Sequence, residues 1–198
     1  MTGHGKGSAF ERAICKRLSL WWTGGERDDV FWRSATSGAR ATTRSRQGKS
    51  TFGQYGDIQA TDPIGQPLLD MCTIELKCGY GKASVADVLD KPMNGAQQPW
   101  EKWVEQAIAD AKKADVAYWM LITRRDRREA LIFIPHILSD LLLYQTHRLR
   151  DKAYPWMSID IRDGLSVYAT TLKVFLHYIT PLNIIEESKV VARWVEPV

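Results

Sequence analysis

Two carboxylates and an ammonium, on Asp57, Glu75 and Lys77, are the groups in this 198-residue chain whose types and spacing could do chemistry. Gly56-Asp57 comes eighteen positions before Glu75-Leu76-Lys77, with a turn-bounded pair of strands between them. Two residues apart on a strand, Glu75 and Lys77 project from one face at about 6–7 Å, and a neighbouring strand can bring Asp57 alongside. Carboxylates about 4 Å apart repel by roughly 4 kcal/mol at an effective dielectric near 20, so such a cluster calls for a cation between them. Oxygen donors select a hard ion, Mg2+ or Mn2+. That ion would activate a water and neutralise charge developing on phosphoryl oxygens, as phosphodiester hydrolysis requires, and Lys77 can position or deprotonate the water.

The elements that must hold these groups follow from periodicity and punctuation. Ser8 is suited to cap a helix in which Phe10, Ile14, Leu18 and Trp21 recur at helical spacing until Gly24-Gly25 stops it, with Glu11 beside the apolar stripe. Val30 to Arg33 is expected as a short strand, followed by a long irregular segment to about Gly56, of a kind that is usually functional when ordered. A second strand spans Asp57 to Thr61 and ends at the turn Asp62-Pro63-Ile64-Gly65; a third runs from Met71 to Lys77. Alternation sends Ile58, Ile74 and Leu76 to one face, and Asp57, Gln59, Thr73, Glu75 and Lys77 to the other. Pro99 suits the first position of a helix carrying Trp103, Ala107, Ile108 and Ala111 toward Ala114. Val116 to Thr123 has the near-continuous apolar character of a central strand, and the basic turn Arg124 to Arg128 joins it to a hairpin partner over Ala130 to Ile134. Pro135 opens a helix with Leu138, Leu141 and Leu142; short strands near Met157 to Ile161 and Leu165 to Ala169 precede a mixed tail to Val198. This order predicts an α/β fold with a mixed β-sheet flanked by helices, in one domain: a core over about 6–134 and a C-terminal extension over about 135–198.

Composition sets the class. Hydrophobic residues at 44% and charged residues at 25% are the proportions of a soluble globular protein. A net charge of +4 and a pI near 9.0 lean toward an anionic partner, and distribution says more than the total. Val30 to Gly56 contains no acidic residue, yet holds Arg33, Arg40, Arg44, Arg46 and Lys49. Cys15, Cys72 and Cys78 form no CxxC pair, which argues against a disulfide framework or a cysteine zinc site. With no apolar leader and no run approaching a membrane span, the chain is expected to be cytoplasmic, with no membrane partner.

Asp57 with Glu75-x-Lys77 resembles the PD-(D/E)xK nuclease superfamily, with Gly56 where the proline stands. Gly7-Ser8-Ala9-Phe10-Glu11-Arg12, then Phe31-Trp32-Arg33-Ser34-Ala35 and Ser37-Gly38, is similar to the start of the archaeal Holliday junction resolvases. The resemblance covers roughly residues 6–123 and implies a restriction-endonuclease-like core and a Mg2+-dependent deoxyribonuclease, with Glu11, Asp57, Glu75 and Lys77 catalytic. It implies a metal held by Glu11, Asp57, Glu75 and Leu76, and DNA held by Arg33, Ser34, Ser37, Arg40, Arg44, Arg46, Lys49 and Gln106. Gln106 takes the place of a polar helix residue beside the active site. The loop is longer than in the resolvases and the tail has no counterpart there, so the length equally suits a phage or mobile-element endonuclease. Cutting two strands favours a homodimer.

Plainer explanations exist for each feature. Glu11 suits a first helical turn through the helix dipole alone. The arginines of the loop and of the turn Arg124 to Arg128 could be solvated charge, although Phe52 and Tyr55 add stacking surfaces near the former. Gly48-Lys49-Ser50 is not a P-loop, because the first glycine of that motif falls on Thr43. His4, His136, His147 and His177 lack ligand spacing, the eight tryptophans are expected mostly in the core, and Leu138 to Leu143 is either core or a subunit seam. The competing class is a non-catalytic nucleic-acid binding module that keeps the fold, against which the carboxylates speak, since a binder gains nothing from acids beside phosphates.

Overall fold

The computed structural model describes residues 3–34, 55–81, 83–84, 86–90, 95–145, 156–161 and 165–195. Helix α1 (Gly3–Trp22) leads to β1 (Phe31–Arg33), which pairs antiparallel with β2 (Ile58–Ala60) in a two-stranded ribbon. A 3-10 turn (Pro63–Gly65) and helix α2 (Gln66–Met71) precede β3 (Cys72–Cys78); a single turn α3 (Ala86–Leu89) and helix α4 (Pro99–Ala114) lead to β4 (Tyr118–Arg124). After β5 (Leu131–Pro135) come α5 (His136–Gln145), the strands β6 (Met157–Asp160) and β7 (Ser166–Thr171), and helices α6 (Leu172–Tyr178) and α7 (Pro181–Val195).

The five-stranded sheet has the order β3-β4-β5-β7-β6, with β3 and β4 parallel and the other pairs antiparallel. A parallel pair needs a long crossover, and α4 supplies it. Alternation along the central strands feeds two cores. Ile74, Leu76, Met120, Ile122, Ile132 and Ile134 join α1, α2 and α5 to α7 on one side. Leu121, Phe133, Val167 and Ala169 meet Trp100, Trp103, Val104 and Ala107 of α4 on the other, with the Phe133 and Trp100 rings 4.3 Å apart. This is the mixed sheet flanked by helices of a restriction-endonuclease-like core.

Local chemistry fixes the ends of the helices that matter. Gly24 and Gly25 adopt positive φ and close α1, while the buried Ser19 hydroxyl donates to Cys15 O and accepts from Phe31 N, clipping the helix to β1. Pro99 starts α4; the Gln98 backbone N–H donates to the buried Glu101 carboxylate, and Asp115 ends the helix in the left-handed conformation.

Several expectations are corrected. Ser8 is not a cap: the helix starts at Gly3, and Ser8 lies well inside it. The segment before the third strand contains α2, too short to generate a periodic signal, so the strand starts at Cys72 and not Met71. The tail folds into two helices, α6 and α7, with Thr171 accepting from Val174 N at the start of α6. Trp32 is 46% exposed rather than core. Leu138 and Leu142 are fully buried within the core, while Ile137 of the same helix is exposed.

Candidate active site

The site forms at the outer edge of β3, which among the described residues has β4 as its only neighbour in the large sheet. Asp57 reaches this edge from the β1–β2 ribbon, not from a neighbouring strand of the same sheet. Its backbone N–H donates to Ile74 O at 2.8 Å, its carbonyl accepts from Ser34 N at 2.9 Å, and its Oδ2 accepts from Leu76 N at 2.8 Å. One residue thus ties the ribbon to the strand and aims its carboxylate along it. Gly56 makes the approach possible. Its φ is +76°, and a Cβ there would lie 2.9 Å from Ile74 O and 3.1 Å from Ile74 N. Proline, fixed near −65°, cannot adopt that backbone, which gives the glycine before Asp57 a physical cause.

Glu75 and Lys77 project together toward α4. Lys77 Nζ donates to Glu75 Oε1 at 2.6 Å and to Gln106 Oε1 at 2.9 Å, and Gln106 Nε2 donates to the same Glu75 oxygen at 2.7 Å. The three side chains form a closed ring of hydrogen bonds. Glu75 is 4% exposed. Burial, and then the charge of Asp57, holds its carboxyl well above the ordinary range, against the pull of Lys77. Asp57 is raised too, by burial first and then by Glu11 and Asp110, while the Leu76 N–H and Lys77 act against the shift.

Glu11 faces the same region from α1. Its Oε2 is sealed from water and lies 3.1 Å from Arg33 Nε, while Arg33 Nη1 donates to Ser8 Oγ at 2.5 Å and Arg12 Nη1 to the same oxygen at 2.7 Å. Glu11 is therefore held by a guanidinium. Ser34 is buried and donates its hydroxyl to Gly56 O at 2.9 Å, so this serine braces the glycine turn. Ser37, Arg40, Arg44, Arg46 and Lys49 lie outside the described residues, as does Phe52.

The donor set suits a hard divalent cation. Desolvation raises the proton affinity of both Asp57 and Glu75, and the charge of Asp57 raises that of Glu75 further; a cation between them would relieve that cost. On a strand, N–H and C=O of one residue point the same way; the Leu76 N–H points at Asp57 on the free edge, so its carbonyl faces that edge as a further oxygen donor. Leu76 could contribute in no other way, since its side chain is buried in the core. Among the described residues, no three His, Cys, Asp or Glu side chains converge as a finished metal cage. Glu11 stays with Arg33, and the arrangement is a pair of carboxylates with a third on its flank.

One nearby acid escaped the sequence. Asp110 follows Gln106 by one helical turn on α4, and its charge acts on both Asp57 and Glu75. It is 19% exposed and pairs with Lys113 at 3.1 Å. The i,i+4 spacing from Gln106 was the available signal.

The model of the family described as "Phage putative PDDEXK endonuclease" matches residues 2–186 of the chain. No curated protein and no solved structure matches it.

Proposed function

Because the chain belongs to the phage PD-(D/E)xK endonuclease family, we propose that it is a divalent-metal-dependent endonuclease that hydrolyses DNA phosphodiester bonds at Asp57, Glu75 and Lys77. The observation that carries this proposal is the half-buried Asp57 beside the buried Glu75 at a sheet edge, with Lys77 hydrogen-bonded to Glu75. Asp57, Glu75 and the Leu76 carbonyl would hold Mg2+ or Mn2+, with Glu11 joining once released from Arg33. When bound, the ion supplies an acidified water and offsets charge on the phosphoryl oxygens.

The chain's own groups do the rest. Lys77, positioned by Gln106 and Glu75, orients the attacking water and stabilises the developing negative charge. Arg33 and the loop after Ser34 bind backbone phosphates. Structured or branched DNA is the first substrate to try, on the likeness of residues 7–12 and 31–38 to junction resolvases. We read the chain as one nuclease domain, since β7 of the extension pairs with β5 of the core. No helix among the described residues is long and apolar enough to cross a membrane. The three free cysteines suit the reducing cytoplasm, where we place the enzyme. A homodimer is preferred because two strands need two cuts.

The test is incubation of plasmid, linear duplex, single-stranded and four-way-junction DNA with the protein and Mg2+. Cleavage of at least one substrate, abolished by EDTA and by Asp57→Asn, is expected. Intact substrates throughout, or cutting that is unaltered in Asp57→Asn, would reject the proposal.

Gln106→Leu is expected to lower cleavage by about tenfold to a hundredfold, the usual cost of losing a partner that orients a metal-site group. Gln106 is exposed, so the melting temperature should hardly change. A wild-type cleavage rate in that variant would remove Gln106 from the site.

A further inference from the structure

The turn between β4 and β5 lies at the same end of the sheet as the candidate active site. Because β3 and β4 run parallel, Lys77 stands beside Thr123 and Cys78 beside Arg124, so the chain leaves β4 into Arg125-Asp126-Arg127-Arg128 next to the catalytic edge. Residues 125–129 are all exposed. Two contacts fasten this turn to α1, the helix that carries Glu11. The Arg124 guanidinium lies 4.7 Å over the Phe10 ring, and Lys6 Nζ meets Asp126 Oδ2 at 2.9 Å. The second contact sets the turn's aspartate against a lysine and leaves its arginines facing solvent with a surplus of positive charge.

We propose that the Arg125–Arg128 turn is a second DNA contact, a clamp on backbone phosphates beside the cleavage position; it rests on the nuclease function proposed above. Reach supports this. One inter-strand step of about 4.8 Å and three or four residues at about 3.3 Å place the turn roughly 10–15 Å from Lys77 in the sheet. At about 3.4 Å of axis per phosphate on one strand, that is three or four nucleotides from the bond to be cut. A charged contact at this distance adds affinity and register without reading sequence.

Binding of a fluorescent duplex, measured in EDTA so that no chemistry is needed, tests the clamp. The variant carries Arg125→Gln, Arg127→Gly and Arg128→Gln; glycine suits position 127, whose φ is +59°. The plot of log affinity against log salt should lose about 2.7 from its slope, and the gap from wild type should narrow about fortyfold between 50 and 200 mM salt, at about 0.9 per phosphate contact. Lysine at all three positions should restore the slope, since a phosphate contact of this kind needs charge and not a fork of donors. If the triple variant does not fold, Arg125→Gln with Arg128→Gln should still lose about 1.8 from the slope. An unchanged slope in a folded variant, as expected if these arginines are merely solvated or serve an acidic protein partner, overturns the clamp. That result is separable from failure of the nuclease function, which shows as uncut DNA with wild-type protein and Mg2+ whatever the slope.

Discussion

Asp57→Asn is expected to lose about a thousandfold or more in cleavage, and at the same time to raise the melting temperature of the metal-free protein near pH 8 by about 3–8 °C. The loss follows from removing an anionic oxygen from the proposed metal site. The gain follows from burial: the Asp57 carboxyl is pushed above its ordinary range, so in the folded protein its ionised form is penalised relative to the unfolded chain. A carboxyl raised in this way favours folding at low pH and loses that contribution as pH climbs through the folded-state value. Asparagine never ionises, yet its amide oxygen can still accept from Leu76 N. The advantage of the variant should therefore be full near pH 8, shrink as pH falls through the folded-state value of about 6, and vanish only below about pH 4, where the unfolded chain carries the proton as well. Each unit of displacement is worth about 1.4 kcal/mol, and a domain of this size moves by about 2–4 °C per kcal/mol. Mg2+ should raise the wild-type melting temperature near pH 8 and leave Asp57→Asn almost unmoved. Thermal scans across pH, with and without the ion, check all of this; equal melting curves for the two proteins near pH 8 would mean that Asp57 bears no such strain.

Gly56→Ala should cost about 2–4 kcal/mol, adding the strain of a positive φ to the displacement of backbone at Ile74. The melting temperature should fall by about 5–15 °C. Well below that temperature, where the variant is folded, cleavage should still be down about a hundredfold, because Asp57 takes its position from the hydrogen bond next to the glycine and a shift near 1 Å is that expensive. Gly56→Pro, which forces φ to the opposite sign, should be worse on both counts. Wild-type stability and rate in Gly56→Ala would show that the close approach to Ile74 is not required.

Long periodic segments and the strand carrying Glu75 and Lys77 were legible without coordinates. Pro99 at the start and the spacing through Ala111 gave α4 its limits; the hydrogen bond between Gln106 on that helix and Lys77 had no signal in the spacing. The meeting of Asp57 with β3 was anticipated, but its route was not, because pairing partners depend on which strands share a sheet and not on alternation within any one. Arg33 was expected to face phosphate; in the structure it holds Glu11, a contact between distant segments with no local signal. α2 was invisible because six residues give less than two turns of periodicity. α6 was missed because seven residues give barely two turns of periodicity, and α7 because it buries Glu187 with Ile184 and exposes Leu182 and Val190, which blurs its apolar face.

The outer side of a sheet's last strand carries a row of backbone groups with no strand to pair with, which in many proteins becomes a template for another molecule. Here the Asp57 backbone takes Ile74 O and its carboxylate takes Leu76 N, so a side chain assigned to chemistry also plugs the rim against self-association. Alanine at this position would bare the Leu76 N–H and invite aggregates that imitate an inactive enzyme; asparagine keeps the plug and is the sounder knockout.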